Sequence, residues 1–171
     1  MVSEVICIAS GPSLTQSDCD LTRGRFVIAI NHSWQRARHA DILFAGDGDW
    51  WHQYGGEVDI PAARWSCSQA TENQLTGTSG WCSGANAIRL ACEHGASRVL
   101  LLGYDCSLRH GIHWHGPHDK TKNPNSDQLL RWRAHFDKVR AMFPSVEIIN
   151  CSRYTELTTF PRMSLESAWT T

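Results

Sequence analysis

The chain has 171 residues, enough for one domain with a sizeable core but leaving little room for a second. Its residues are 42% hydrophobic and 19% charged, a globular composition that excludes an intrinsically disordered chain. Sixteen Lys and Arg nearly balance seventeen Asp and Glu, for a net charge of -1. This balance argues against a general nucleic-acid binder, because such proteins depend on a basic surface.

Short apolar segments alternate with helical patterns, which predicts an α/β fold with a mostly parallel sheet flanked by helices. The predicted strands cover residues 4–9, 26–30, 41–45, 98–102 and 146–149, with a weaker candidate at 63–67. Helical spacing predicts one helix through 87–92, which Gly95 is placed to end, and another through 129–143. Asn125 and Gln128 form a candidate capping box at the start of the second helix.

Residues 106–125 lack periodicity and are rich in His, Gly, Pro and Asn, which predicts a long loop. This His-rich loop contains four of the nine histidines of the chain: His110, His113, His115 and His118. Long loops inside a compact domain are usually functional or mobile. The clustering therefore makes this loop the first candidate for a site.

The seven cysteines include no C-x-x-C pair, so neither a zinc ribbon nor a disulfide framework is expected. No segment approaches the roughly 20 apolar residues that a bilayer-spanning helix needs, so no membrane span is expected. The N-terminus has no basic region ahead of its first apolar strand. These features predict a cytoplasmic protein.

Small or hydrogen-bonding residues follow the predicted strands. In an open parallel sheet, ligands bind beyond the carboxyl ends of the strands, so these residues are expected to meet at one edge. The candidates are Gly11, Pro12, Ser13, Asn31, Asp47 and Asp105. Their common position favours a polar ligand site at that edge.

Two segments have residues suited to an anion such as a phosphate. Gly11 allows close approach of the backbone and Ser13 offers a hydroxyl and an N–H, although a turn with Ser13 as helix cap fits equally. Thr78, Ser79 and Gly80 precede a predicted helix and offer hydroxyls, N–H groups and the positive end of its dipole; a flexible capped turn fits them as well. Neither segment is a Walker A loop or a G-x-G-x-x-G motif.

Carboxylates and histidines supply the candidate chemistry. Asp47 and Asp105 can hold a divalent cation, accept a proton or hydrogen-bond a ribose, and Asp47 also fits a simple turn former. Three interpretations of His113, His115 and His118 stay open: a transition-metal site, a general base, or a mobile loop without a chemical role. Acid–base chemistry or phosphate contact suits these histidines best.

Several short motifs occur in the order found in one group of transferases. The motifs are Ser10-Gly11-Pro12-Ser13-Leu14, Val27-Ile28-Ala29-Ile30-Asn31, Thr78-Ser79-Gly80, Leu101-Leu102-Gly103-Tyr104-Asp105 and Ile148-Ile149-Asn150-Cys151-Ser152. Through them, residues 4–165 resemble the enzymes that carry a Gly-Pro-Ser-Leu motif. This group includes bacterial sialyltransferases, motility-accessory-factor glycosyltransferases and 6-hydroxymethylpterin pyrophosphokinase-like proteins.

The resemblance implies a single Rossmann-like domain over residues 1–171 that binds a nucleotide or nucleotide sugar at the strand ends. It further implies that Asp105 lies near the ribose or a metal and that a loop histidine is the general base. The residues it implies for nucleotide contact are Gly11, Pro12, Ser13, Asn31, Thr78, Ser79 and Gly80, to which the strand-end position adds Asp47.

Three functions follow as hypotheses. The first is a nucleotide- or nucleotide-sugar-dependent transferase, similar to a glycosyltransferase, that acts on a small molecule or a glycan. The second is a pterin-type pyrophosphokinase, which would need Mg²⁺ held by Asp105 with Asp47 or Asp49. The third is a protein that binds a nucleotide or signalling molecule without turning it over. The sequence leaves a homo-oligomer open.

Overall fold

In a computed structural model that describes residues 3–170, seven strands form one sheet in which all neighbouring strands are parallel. The strands are β1 (Glu4–Ile8), β2 (Phe26–Ile30), β3 (Ile42–Phe44), β4 (Ala63–Ser66), β5 (Asn73–Gln74), β6 (Arg98–Leu102) and β7 (Glu147–Asn150). The helices are α1 (Gln16–Leu21), α2 (Gly48–Tyr54), α3 (Ser83–Glu93), α4 (Ser126–Met142) and α5 (Leu165–Thr170). Short 3-10 segments cover Asn31–Gln35 and Gly55–Glu57. Residues 1, 2 and 171 of the predicted domain lie outside the described range.

Both faces of the sheet are buried, because successive side chains of a strand point to opposite sides. In β1, Val5 and Cys7 pack on one face with residues of α3 and α4. Ile6 and Ile8 pack on the other face with residues of α1, α2 and α5. A strand buried on both faces needs an apolar residue at nearly every position, which explains the short, continuous apolar segments of the sequence.

The strand order is β5-β4-β3-β2-β1-β6-β7, so the chain extends the sheet to one side of β1 and then to the other. The order reverses between β1 and β6, because the chain leaves β1 toward β2 on one side and leaves β6 toward β7 on the other. Such a switch point is where open α/β sheets bind ligands. The predicted α/β, Rossmann-like fold is confirmed, and the sheet is parallel throughout the described residues.

All six predicted strands and both predicted helices are present, the latter as α3 and α4. The Asn125–Gln128 capping box forms as predicted, and residues 106–125 contain neither helix nor strand. All seven cysteines are free. Across residues 3–170, no helix combines the length and the apolar character needed to cross a membrane.

Helix α1 is fixed at its start by a capping box and at its side by an ion pair. Thr15 accepts the backbone N–H of Asp18 at 3.1 Å, and the Asp18 side chain accepts the backbone N–H of Thr15 at 3.1 Å. Arg153 donates to both carboxylate oxygens of Asp18, whose side chain is only 8% exposed. Burial tends to raise the pKa of Asp18, but the hydrogen bonds from Arg153 and Thr15 outweigh it and hold the pKa below its ordinary value.

We expect Asp18→Asn to lower the free energy of unfolding by about 1–3 kcal/mol at neutral pH, because it removes charge-assisted hydrogen bonds and half of a capping box. Because the native pKa lies below the ordinary value of 3.8, this stabilisation is present above that pH and is lost as the pH falls through the native pKa. Urea denaturation of both proteins near pH 7 and pH 3 measures the effect. The matched control is Asp20→Asn, in an exposed pair with Arg23, which should change stability by less than about 1 kcal/mol. An equal loss of unfolding free energy in Asp18→Asn and Asp20→Asn would contradict the stabilising role of the bonds that Asp18 makes with Arg153 and Thr15.

Candidate functional site

A cavity of about 150 Å³ lies at the switch point, between the loops that follow β1 and β6. Its wall is also formed by the residue after β2, the start of α3, the His-rich loop and one face of α4. We call it the switch-point cavity and define it by Gly11, Asn31, Gly84, Asp105, His113 and Trp132. Four of the residues predicted for the site, Gly11, Asn31, Asp105 and His113, are thus brought together.

The loops after β1 and β6 are tied to each other by Ser13 and Asp105. The Ser13 hydroxyl donates to Asp105 Oδ1 at 2.6 Å, and the Ser13 backbone N–H donates to Oδ2 at 2.8 Å. Asp105 is only 2% exposed, and burial raises the pKa of its carboxyl against the opposing hydrogen bonds from Ser13. A Cβ at Gly11 would lie 2.2 Å from Asp105 Oδ1, so the close packing of this carboxylate requires glycine there.

Positive φ angles shape the edge of the cavity at two strand ends. Asn31 has φ 50° directly after β2, and asparagine is among the residues that tolerate this left-handed conformation. Gly103 has φ 70° directly after β6 and accepts the backbone N–H of Gly11 at 2.9 Å. The backbone turns sharply at both positions, and both residues lie in the cavity wall.

Helix α3 begins at the cavity with its first turn open. Its N-cap residue, Cys82, makes no well-formed side-chain hydrogen bond to the helix. Burial raises the pKa of the Cys82 thiol, although the backbone N–H groups of Ala85 and Gly84 face this thiol and act to lower the pKa. Gly84 also lies in the cavity wall. The Ser83 hydroxyl accepts the backbone N–H of Gly46 at 3.0 Å, which anchors the helix start to the end of β3. The positive end of the helix dipole therefore lies at the cavity.

Thr78, Ser79 and Gly80 lie before this helix start and outside the described wall of the cavity. Thr78 is buried, where its hydroxyl donates to the Asn86 side chain and accepts from Arg89 at 2.7 Å. Ser79 and Gly80 are exposed. The structure thus brings Cys82–Gly84, rather than the predicted triplet, to the cavity.

Two further predicted residues have structural roles outside the described cavity wall. Asp47 caps α2, since its side chain accepts the backbone N–H of Asp49 at 2.9 Å. Pro12 lies against the His-rich loop, with its Cγ 3.8 Å from the position of a Cβ at Gly111. Asp47 therefore matches the turn-forming interpretation that the Gly-Asp-Gly-Asp sequence also allowed.

Four histidines come together beside the cavity. We call His32, His113, His115 and His118 the histidine cluster. The ring centroids of His115 and His118 lie 4.6 and 4.9 Å from that of His32, and those of His113 and His118 are 4.6 Å apart. His32 was not predicted, and its signal was its place directly after Asn31, at a strand end that faces the His-rich loop.

The histidine cluster is uncharged at neutral pH. Burial lowers the pKa of His32 and His113 to about 4 and that of His115 to about 3, and neighbouring histidines lower all three further. Burial also lowers the pKa of His118. Because each ring then has one nitrogen without a proton, the cluster offers several neutral nitrogen acceptors in a small volume.

Aromatic residues of α2 hold the cluster from the opposite side. Trp50 Nε1 donates to His32 Nδ1 at 3.2 Å. The Tyr54 hydroxyl donates to Asp119 Oδ1 at 2.9 Å and accepts the backbone N–H of Lys120 at 3.0 Å. Helix α2 therefore fixes both a cluster member and the segment of the His-rich loop that carries His118.

No family model and no curated protein matches this sequence. The resemblance to the Gly-Pro-Ser-Leu transferases therefore rests on the short motifs alone. Function has to be argued from the site.

Proposed function

We propose that the chain binds the phosphate-bearing part of a nucleotide or nucleotide sugar in the switch-point cavity and transfers a group from it to a small-molecule or glycan acceptor. The observation that carries the proposal is the position of the cavity, where the strand order reverses between β1 and β6. Ligands of open α/β sheets bind at such points, because the loops on either side diverge and leave a crevice.

The wall chemistry supports an anionic ligand. The start of α3, which is faced only by the weakly accepting Cys82 thiol, supplies backbone N–H groups and a partial positive charge that stabilise a phosphate without a basic side chain. Asn31 adds an amide that both donates and accepts. The cavity of about 150 Å³ is smaller than the about 300–1,000 Å³ typical of ligand pockets, so it suits one phosphate or one ring of the donor.

His113 is the best-placed candidate for the general base. It lines the cavity, whereas His115 and His118, the other two loop histidines of the cluster, are not among the residues of the wall. The Ser10 backbone favours its protonated form, and its Nε2 is buried without a partner among the described residues, so the ring has to turn to present this nitrogen to an acceptor in the cavity. Burial lowers its pKa to about 4, so the ring is unprotonated at neutral pH and free to accept a proton, and this low pKa also makes it a weaker base than an ordinary histidine.

The carboxylates favour transfer without Mg²⁺ at Asp105 over the pyrophosphokinase mechanism. Both oxygens of Asp105 already accept hydrogen bonds from Ser13, and Asp47 caps α2. A cation between these two side chains would have to replace those bonds. We therefore prefer the mechanism in which α3 and Asn31 hold the phosphate and His113 takes the proton.

Thermal melting of the full chain with CMP, UDP, ATP, a CMP-sugar and a UDP-sugar tests the binding step. At least one ligand should raise the melting temperature, since saturation at 100 times Kd stabilises a protein by about 2.7 kcal/mol. Asn31→Gly keeps the left-handed backbone, removes the amide, and should weaken binding about 10-fold. Ser79→Ala is the matched control on the exposed segment before α3 and should bind like the wild type. A loss of nucleotide binding in Ser79→Ala but not in Asn31→Gly would show that the ligand binds outside the switch-point cavity.

The transfer step is tested with the ligand that binds. His113→Gln should retain binding and lower release of the free nucleotide by about 100-fold or more, the usual contribution of a general base. Transfer by the wild type should persist after exhaustive chelation with EDTA. A donor recovered intact in the presence of every acceptor would leave a binding protein and overturn the transferase.

A further inference from the structure

The histidine cluster supports an inference that goes beyond the nucleotide proposal and rests on different residues, except that His113 touches both sites. We propose that His32, His115 and His118 bind a transition-metal ion with the ligand preference of Zn²⁺. Imidazole nitrogen is a common ligand of Zn²⁺, Cu²⁺, Ni²⁺ and Fe²⁺, whereas Mg²⁺ and Ca²⁺ prefer oxygen. The site would thus differ in place and in ligand chemistry from any cation held by Asp105.

The geometry of these three residues supports the proposal. One ring nitrogen from each lies within 4.8 Å of the other two. Tetrahedral Zn–N bonds of about 2.0–2.1 Å place two ligand nitrogens about 3.4 Å apart, so side-chain rotations that close up to about 1.4 Å complete the set. His115 and His118 lie on the same irregular loop, which can follow such rotations, and His32 is held on the sheet side by its buried position.

A second observation is the set of unpartnered nitrogens. His115 Nε2 and His118 Nδ1 are buried and have no hydrogen-bond partner among the described residues. A buried polar atom without a partner loses its interaction with water and gains nothing in return, so each such atom calls for a missing partner. One cation shared by two neutral imidazoles satisfies both nitrogens at once.

The hydrogen bond from Trp50 to His32 gives the proposal a specific consequence. Because Nδ1 accepts the indole N–H, neutral His32 carries its own proton on Nε2. A metal at Nε2 moves that proton to Nδ1, where it meets the Trp50 N–H, and a metal at Nδ1 displaces the N–H directly. In both cases Trp50 must release His32, so the indole competes with the metal.

Three histidines leave one tetrahedral position open, as in catalytic zinc sites. The His113 ring, with an unpartnered Nε2, lies 4.6 Å from the His118 ring and also lines the switch-point cavity. The open position can therefore take His113 or a water molecule. Weaker metal binding by the His113→Gln variant would identify His113 as the fourth ligand. An unchanged metal affinity would identify a water molecule there.

The test is metal titration of the full chain after removal of bound ions with EDTA and desalting. We expect one Zn²⁺ per chain by calorimetry, and Co²⁺ as a spectroscopic probe should give the visible absorption of a tetrahedral nitrogen site. His32→Gln, His115→Gln and His118→Gln should each weaken binding more than about 100-fold, beyond the about 10–100-fold cost of losing an outer partner. His52→Gln, at an exposed histidine of α2, is the matched control and should bind normally.

Trp50→Phe separates this site from adventitious binding to surface histidines. Removal of the competing indole N–H should leave the Zn²⁺ affinity equal to or higher than that of the wild type. Melting curves recorded without metal establish that each variant is folded. If a variant does not fold, the Co²⁺ spectrum of the wild type alone tests whether the chain has a tetrahedral nitrogen site. Less than one ion per chain, no tetrahedral Co²⁺ band, or a Zn²⁺ affinity equal to that of the wild type in the three His→Gln variants would overturn the proposal. Nucleotide melting shifts measured in EDTA report on the proposed function separately.

Discussion

A Gly103→Ala variant should lose about 2–5 kcal/mol of unfolding free energy. Gly103 has φ 70°, a left-handed conformation that costs an L-residue roughly 1–2 kcal/mol. The added Cβ would also lie 2.4 Å from the backbone oxygen of Ala9, and overpacking of this kind costs typically about 1–3 kcal/mol. Because the obstructing atom is the backbone oxygen of Ala9, directly after β1, no side-chain rotation can relieve the contact and the backbone itself must shift.

Urea denaturation near pH 7 measures the loss, with Gly80→Ala as the matched control. Gly80 has a negative φ and nothing within 4 Å of the position of a Cβ. Gly80→Ala should therefore stay within about 1 kcal/mol of the wild type, on the stabilising side. A Gly103→Ala protein as stable as the Gly80→Ala protein would mean that the loops after β1 and β6 are not packed as described.

The tight packing at Gly103 explains how the cavity floor is built. The backbone N–H of Ala9 donates to Leu102 at 2.8 Å, and that of Gly11 donates to Gly103 at 2.9 Å, so pairing between β1 and β6 continues past the strands. The first turn beyond the sheet is therefore backbone against backbone. The rest of the cavity wall lies beyond it, formed by Asn31, the start of α3, the His-rich loop and one face of α4.

The fold was predictable because its strands are buried on both faces. Continuous apolar runs such as 98–102 have no other stable place than the centre of a parallel sheet. Strand β5 has no such signal: it consists of Asn73 and Gln74 at the sheet edge, paired only with β4. Helices α1 and α5 have six residues each, too short for a helical period to emerge.

The site was predictable only as far as strand ends determine position. That rule brought Gly11, Asn31 and Asp105 to one cavity, and it missed His32, whose role depends on where the His-rich loop folds back. A separate pattern, the Thr/Ser/Gly run, placed the start of the helix near 78–80, because such a run is a stronger capping signal than Cys82. Loop paths and exact helix starts are set by tertiary contacts that no local pattern contains.

Ser13→Ala decides between two roles of Ser13, and we expect it to lower unfolding free energy by about 1.5–3 kcal/mol near pH 7. The variant removes the hydroxyl that donates to Asp105 Oδ1 at 2.6 Å and leaves a buried carboxylate with one donor fewer. If Ser13 served mainly to bind phosphate, as the motif resemblance implies, stability would be unchanged and only nucleotide binding would weaken.

The pH dependence of this loss identifies its cause. Burial already raises the pKa of Asp105, and loss of the Ser13 hydrogen bond raises it further. The Ser13→Ala penalty is therefore complete above both native pKa values and shrinks as the pH falls toward the ordinary value of 3.8, where Asp105 is protonated in both proteins. Denaturation near pH 7 and pH 4 measures this change.

A double-mutant cycle with Asp105→Asn completes the argument. In the Asp105→Asn background no buried charge remains, so Ser13→Ala should cost at least about 1 kcal/mol less than it does in the wild type. Ser79→Ala, on an exposed residue without contact to this pair, should be additive with Asp105→Asn within about 0.5 kcal/mol. Additivity of Ser13→Ala with Asp105→Asn would instead show that the two side chains act independently, and Asp105 would then be free for the ribose or metal contact that the resemblance implies.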